Sequence, residues 1–366
     1  MTEAMLTKSR WMQGGGPEIE IVVSSRVRLA RNLMGEAFPC LAAGPQNRAV
    51  IDRVITSAEN DPALKSFSRL RVEELSALDK QTLMEKHLIS PYMAREAEQG
   101  AILVSADEAI SIMVNEEDHL RIQAILPGLQ LEEALGEADR IDDIIEKSMP
   151  YAFHEQYGYL TACPTNMGTG LRASVMLHLP ALIRTRQLNR ILGALSQVGL
   201  TVRGLYGEGT EITGSLVQVS NQVTLGLTEE EIIANLHSVT CRVIEQEQAA
   251  RQSLLDKNRA ALADSAWRAL GLLQYAQVMS IKEAVSLISD LRLGYDLGLI
   301  KSINHRLLNE LLVLIRPGYL QNLAGKSLNE SERDLERPVQ LRKALERYRD
   351  EGEEKVSPGS KEENKS

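Results

Sequence analysis

The first pattern along the chain is an alternation. Ile19, Ile21 and Val23 alternate with Glu18, Glu20 and Val22, which is the period of a strand. The strand runs on into Ser24-Ser25-Arg26-Val27-Arg28-Leu29-Ala30-Arg31-Asn32, where Arg26 and Arg28, two apart, project from one face. Residues 46–60 and 71–86 carry helical patterning on either side of Pro62. Residues 110–114 and 119–125 are strands again. In the second, His119, Arg121 and Gln123 share one face and Leu120, Ile122 and Ala124 the other. The polar tetrad Asn115-Glu116-Glu117-Asp118 turns between them. Residues 131–147 form an amphipathic helix and 158–163 a short strand. The loop 164–170 feeds a helix from about Leu171, a weak anion-site signal at a helix N-terminus. Residues 200–205 and 216–225 are strands flanking a glycine-rich turn, 204–214.

Beyond this point strands vanish. Thr228-Glu-Glu-Glu231 is a capping box that opens a long helix with Ile232, Ile233, Leu236, Val239 and Val243 on one stripe. Ser280-Ile-Lys-Glu283 is a second box, and residues 284–291 and 303–315 carry helical stripes. The pattern predicts a mixed α/β part over residues 1–255 and an all-α part over 256–350. A disordered tail is expected over 351–366, where Val356 is the one large apolar residue.

Composition narrows the class. A length of 366 residues fits two domains. The net charge of -9 argues against a general grip on nucleic acid, though not against a local basic cage. Three scattered cysteines with no CxxC pair exclude a disulfide framework and make a thiolate metal site unexpected. No apolar run is long enough to span a membrane, and no signal peptide is legible. A reduced, cytoplasmic compartment is expected.

The chain lacks a GxxxxGK[ST] loop, HRD and DFG tripeptides, and a GxGxxG after a strand. Five segments nevertheless set charge beside glycine or apolar strands: 24–28, 115–121, 163–170, 172–176 and 203–208. Alone, each has an ordinary explanation. Strand-end arginines are usually solvated, consecutive acids usually make a turn, and a lone cysteine is usually a small buried hydrophobe. Together, Arg26, Arg28, Arg121, Arg172 and Arg203 supply forks that match phosphate oxygens, and isolated carboxylates stand beside them. Positioning and charge stabilisation are what phosphoryl transfer needs, and the carboxylates suggest a cationic acceptor or a metal.

In order along the chain, Ser24-Ser-Arg-Val-Arg28, Asn115-Glu-Glu-Asp-His-Leu-Arg121, Cys163-Pro-Thr-Asn166, Gly170-Leu-Arg-Ala-Ser174 and Arg203-Gly-Leu-Tyr-Gly-Glu208 resemble the phosphagen (guanidino) kinases, over about residues 19–250. The resemblance implies an antiparallel-sheet, glutamine-synthetase-like catalytic domain of α/β (α+β) class. It implies ATP held by Ser24, Ser25, Arg26, Val27 and Arg28, by His87, by Arg121, by Arg172, Ala173, Ser174, Val175 and Met176, and by Arg203, Gly204, Leu205, Tyr206, Gly207 and Glu208. Mg2+ would be held mainly through the nucleotide, with no metal site of the protein's own. Glu117 and Glu208 would clamp the acceptor guanidinium, with Cys163 in support. For His87 the alternative is a partly exposed helix histidine.

Two departures stand out. Small-molecule phosphagen kinases carry a helical domain ahead of the catalytic one, whereas only eighteen residues precede Ile19 here. This chain also adds a helical part after it. Both features, with the wording of Glu85-Lys-His-Leu-Ile-Ser-Pro91, Gly170-Leu-Arg-Ala-Ser-Val-Met176 and Arg316-Pro-Gly-Tyr319, resemble the branch of the family that phosphorylates arginine side chains of proteins in Gram-positive bacteria. That resemblance implies protein substrates, a small activator protein, a Clp chaperone-protease that degrades the marked proteins, control of a heat-shock repressor, and a homodimer, with no direct nucleic-acid or membrane partner. It also implies an allosteric phosphoarginine site in an RDxxRA motif. Here Arg333, Asp334 and Arg337 match and Pro338 departs. Pro338 would strain a helix begun at Ser331 unless it opened a new one, and a solvated charged helix is the other reading. A kinase of a free small guanidine, or a non-catalytic phosphoarginine-binding adaptor, are the alternatives to a protein kinase.

Overall fold

The computed structural model describes residues 6–204 and 212–354. Its centre is an eight-stranded sheet, every neighbouring pair antiparallel. The strands are β1 (Val22–Arg31), β2 (Ser68–Arg71), β3 (Ala101–Val104), β4 (Ile110–Val114), β5 (Leu120–Pro127), β8 (Leu171–His178), β9 (Leu200–Gly204) and β10 (Leu216–Asn221), with a separate hairpin of β6 (Phe153–His154) and β7 (Gly158–Tyr159). The spatial order is β2-β3-β4-β5-β1-β8-β10-β9. β1 therefore lies in the middle, with β5 and β8 on its two sides.

The helices are α1 (Gly44–Asn60), α2 (Ala77–Glu85), α3 (Pro91–Arg95), α4 (Leu131–Glu146), α5 (Pro180–Arg184), α6 (Leu188–Gln197), α7 (Glu229–Tyr275), α8 (Ile281–Asp296), α9 (His305–Leu314), α10 (Pro317–Ala324) and α11 (Glu330–Glu354). One face of the sheet shows the odd-numbered Val27 and Leu29 of β1 and the even-numbered Leu120, Ile122 and Ala124 of β5. They share a core with Ile141 of α4 and Leu236 of α7. The opposite face is divided. Toward one end Val23, Ile125, Met176 and Leu216 pack against the helices after residue 260, joined by Trp11 from a short 3-10 turn, Arg10–Gln13. The rest of that face is polar.

Several boundaries differ from the sequence reading. Residues 18–21 form a turn around Glu18, whose φ is +55°, so β1 begins at Val22. Residues 68–71 are a strand, and α2 begins only at Ala77, where Ser76 and Asp79 form a capping box. The strand expected over 158–163 stops at Tyr159, and that expected over 216–225 stops at Asn221. The largest correction is at Leu171, which opens β8 and not a helix. Leu171, Ala173, Val175 and Leu177 alternate with Arg172, Ser174 and Met176, and both flanks of the segment are already strands, so the ladder takes it.

The Thr228 capping box is present, and α7 continues past residue 255. It carries a kink at Asn258, where φ is -137° and ψ 31°. At α8 only half of the expected box forms: Ser280 Oγ accepts the Glu283 amide. α11 continues to Glu354, four residues into the stretch expected to be disordered; residues 355–366 of that tail lie outside the described residues. Among the described residues no helix is long and apolar enough to cross a membrane, and all three cysteines are free.

Candidate active site

The polar part of the sheet face floors a cleft of about 720 Å3. Strand alternation decides what reaches it. Arg26 and Arg28 of β1, Arg121 and Gln123 of β5, Arg172 of β8, Gln218 and Ser220 of β10 and Arg203 and Gly204 of β9 all line the cleft. Register brings them together: Arg28 stands opposite Gln123 on one side and Arg172 on the other, and Gln218 opposite Arg203. Ser24, Ser174 and Met176 line a small recess beside Arg26 and His87.

The intervening residues of the expected nucleotide segments point elsewhere. Val27, Ala173 and Val175 are fully buried in the opposite core. Ser25 Oγ donates to the Gly128 carbonyl and accepts the Gln130 amide, tying β1 to the turn that leads into α4. Leu205, Tyr206, Gly207 and Glu208 lie outside the described residues.

The cleft is electrostatically unsatisfied. Burial, then Arg121 and Arg172, lowers Arg26 to about 10. Burial, then Arg26, Arg121 and Arg172, holds Arg28 well below its ordinary value. Arg172 is lowered by burial, Arg203 and Arg121. Buried Arg28 Nε has no hydrogen-bond partner among the described residues. Such a cluster of cations calls for an anion, and a polyphosphate supplies several acceptor oxygens at once. Arg26 is already aimed: its Nη2 donates to Gln218 Oε1 at 3.0 Å and its Nε to Ser174 Oγ at 3.3 Å. Gln218 was not singled out in the sequence, though its parity with Ser220 on β10 marks the face it takes.

Two adjacent acids behave differently. Glu116 is buried and accepts Arg121 Nη1 at 2.5 Å. Burial opposes its ionisation, but Arg121, Ser90 and the Glu117 amide outweigh it and hold the carboxyl below the usual range. Glu117 lines the cleft beside Arg172, and burial, then Glu116, pushes its carboxyl up. A raised carboxyl facing a cleft is suited to taking a proton. Cys163 lines the same cleft, with Sγ 3.0 Å from Thr165 Oγ1. Among the described residues no group of three or more His, Cys, Asp or Glu side chains could hold a metal.

His87 lies past the end of α2 with φ of +64° and lines the cleft. Interactions at three successive residues, 85 to 87, hold that turn. Gln123 Nε2 donates to the His87 carbonyl at 2.7 Å. Lys86 is buried against Glu108, and its carbonyl accepts Trp11 Nε1. Glu85, also buried, accepts the amides of Gly318 and Tyr319, both at 2.8 Å. Burial, then Arg26 and Arg316, lowers the imidazole to about 3, so it is neutral at ordinary pH.

Arg333, Asp334 and Arg337 lie away from the cleft, on α11. Arg337 is buried and donates to the carbonyls of Ile315 and Met279 and to Asp334 Oδ1. Arg333 donates to the Leu328 carbonyl. Pro338 sits inside the helix, which begins at Glu330 and does not restart. The carbonyl that a residue-338 amide would have capped belongs to Asp334, and it accepts the Met279 amide at 2.9 Å. The helical hydrogen bond that Pro338 cannot make is replaced by that outside donor.

Comparisons with known proteins agree with this geometry. A family model described as "ATP:guanido phosphotransferase, C-terminal catalytic domain" matches residues 49–250. One described as "Protein-arginine kinase McsB C-terminal domain" matches residues 259–356. A protein-arginine kinase of Brevibacillus brevis is 51% identical over 92% of this chain and 95% of its own. One from Geobacillus kaustophilus is 49% identical over 95% of this chain and 97% of its own. Among solved structures, a lombricine kinase superposes with a TM-score of 0.58 at 25% identity, covering 66% of this chain and 70% of that one. The polar sheet face, the arginine cluster and these similarities together show that the chain belongs to the protein-arginine kinase family of guanidino phosphotransferases.

Proposed function

We propose that the chain transfers the γ-phosphoryl group of ATP to arginine side chains of proteins. The observation that carries this is the set of mutually repelling arginines in one cleft with the raised carboxyl of Glu117 beside them. Arg26, Arg28, Arg121, Arg172 and Arg203 grip the phosphate chain. Ser24, Ser174, Met176, His87 and Gly204 complete the nucleotide side, and Ser25, Val27, Ala173 and Val175 support it through the strands they occupy. Mg2+, held mainly through the nucleotide and not by a metal site of the protein, would supply neutralisation of phosphate charge.

A guanidinium is a poor nucleophile, because its pKa is high and its lone pairs are delocalised. Glu117, with Glu208 from outside the described residues, fixes its plane and aims one nitrogen at the γ-phosphorus. As the N–P bond forms, the bond from phosphorus to the β,γ-bridging oxygen breaks and the nitrogen's proton passes to a carboxylate. Cys163 adds a polarisable group at the acceptor end.

The finer reading follows the same family. Residues 1–255 are the catalytic part and 256–350 a helical part for dimerisation and substrate contact. Arg333, Asp334 and Arg337 are its phosphoarginine site, with Arg337 also holding α11 in place. Phosphorylated proteins pass to a Clp chaperone-protease, a heat-shock repressor is among the targets, and a small activator protein controls the enzyme in the cytoplasm.

The test is incubation with ATP-Mg and an arginine-containing protein. Phosphorus NMR is expected to show an acid-labile phosphoramidate on the protein. Product on free arginine alone would overturn the reading in favour of a small-guanidine kinase. No turnover of ATP at all would favour a phosphoarginine-binding adaptor.

A further inference from the structure

One residue of the cleft lining comes from the helical part of the chain. Arg316 lines it together with Arg26 and His87. It is the N-cap residue of α10, at the far end of the sequence from the strands that carry the other arginines. Its charge is felt at His87, alongside that of Arg26, whereas the charges felt at Glu117 are those of Glu116, Arg121, Asp118 and Arg172. Arg316 thus stands at the His87 end of the cleft, the nucleotide end in the reading above.

The backbone that presents it is fixed from the catalytic side. Both carboxylate oxygens of buried Glu85 are engaged, Oε1 by the Gly318 amide and Oε2 by the Tyr319 amide. These are the second and third residues after Arg316. Asn322 Nδ2 adds a bond to Thr82 Oγ1 at 2.7 Å, so α10 is bound along α2 at two points one turn apart. The approach is close: a Cβ on Gly318 would fall 2.8 Å from Gln81 Cγ and 2.9 Å from Glu85 Oε2. Glu85 lies two residues before His87. A single short segment therefore carries the histidine and anchors the helix next to the arginine, both of which line the cleft.

We propose that Arg316 is a sixth arginine of the nucleotide site, donating to the phosphate chain of ATP, and that Glu85 is its positioning residue. This rests on the assignment of ATP to the cleft. Nucleotide affinity is then set partly by how the helical part is seated on α2. That gives the helical part a direct hold on the first substrate, separate from any contact with the protein acceptor.

The experiment compares Arg316→Ala, Arg316→Lys, Glu85→Gln and Arg28→Ala in the full chain, with unfolding midpoints measured to establish folding. Arg316→Ala is expected to raise the KM for ATP about tenfold, with the KM for the protein acceptor unchanged; Arg316→Lys, which keeps the charge but not the fork, is expected to fall between. Glu85→Gln should raise the KM for ATP in the native background and raise it by a clearly smaller factor in the Arg316→Ala background, because part of its effect runs through the same contact. If Arg28→Ala weakens ATP and Arg316→Ala does not, or if Arg316→Ala raises only the acceptor KM, the proposal fails and the cleft assignment stands. If neither arginine affects ATP, the cleft assignment itself is wrong.

Discussion

Glu117 and His87 show how one cleft sets two side chains on opposite courses. Burial and its neighbour Glu116 push the Glu117 carboxyl up, while burial and two arginines push the His87 imidazole down to about 3. Replacing Glu117 by Gln keeps the shape and removes the proton acceptor. It is expected to lower kcat by about 10²–10⁴-fold with little change in the KM for ATP, measured by steady-state kinetics. For His87 the linkage sign is fixed. The unfolded chain binds the imidazole proton below about pH 6.5 and the native state does so only near 3. His87 therefore costs nothing above pH 7 and removes stability progressively as the pH falls from about 6.5 toward 3. His87→Asn is expected to flatten that part of the stability profile, read by urea unfolding at pH 7, 5.5 and 4.5. Sharing of a face by Arg26 and Arg28, and by Arg121 and Gln123, was legible from spacing alone, because a strand alternates whatever surrounds it. Gln218 behind Arg26 and Arg316 beside His87 were not. Their roles depend on strands and helices far away in sequence arriving at the same place.

At the scale of elements, α11 shows an exception that its surroundings make tolerable. Pro338 removes one helical hydrogen bond, and the Met279 amide takes the freed Asp334 carbonyl. Arg337 returns the contact by donating to the Met279 carbonyl. Pro338→Ala is accordingly expected to change stability by less than about 1 kcal/mol, since the carbonyl it would re-engage is already satisfied. Arg337→Ala is expected to cost about 2–4 kcal/mol, because it strips donors from the buried carbonyls of Ile315 and Met279 and leaves a void. Denaturant melts of the two variants compare them directly. β8 teaches the reverse lesson. The glycine-rich loop before it suggested a helix start, but Arg172, Ser174 and Met176 alternate with a buried apolar row. The loop is only a local signal, whereas the alternation is what the sheet enforces. The capping box at Thr228 is a reliable guide to a helix start, because its side chains are free to fold back.

Across the whole molecule, the two parts of the chain meet through a buried polar seam as well as an apolar one. Arg251 of α7 pairs with Glu247 on its own helix and Asp296 of α8, and donates to the carbonyls of Glu20 and His178. Asp296 also holds His305, and His178 Nε2 meets Ser289 Oγ at 2.8 Å. Removing the arginine leaves two buried carboxylates without their cation. Arg251→Ala is expected to cost about 3–5 kcal/mol, measured by denaturant unfolding, and to loosen both parts together. That the chain divides into a mixed part and a helical part was readable from where strand periodicity stops. The seam was not, because it is built from residues such as His178, Arg251 and Asp296 that look like ordinary surface charge in the sequence.

Trp11 belongs to the opening stretch of the chain, yet its carbonyl accepts Asn309 Nδ2, 298 positions further on. At ribosomal speeds of roughly 5–20 residues per second, about 15–60 s separate the synthesis of these two partners. Trp11 lacks this partner for that interval, and its packing against the helices after residue 260 cannot form before those helices are made.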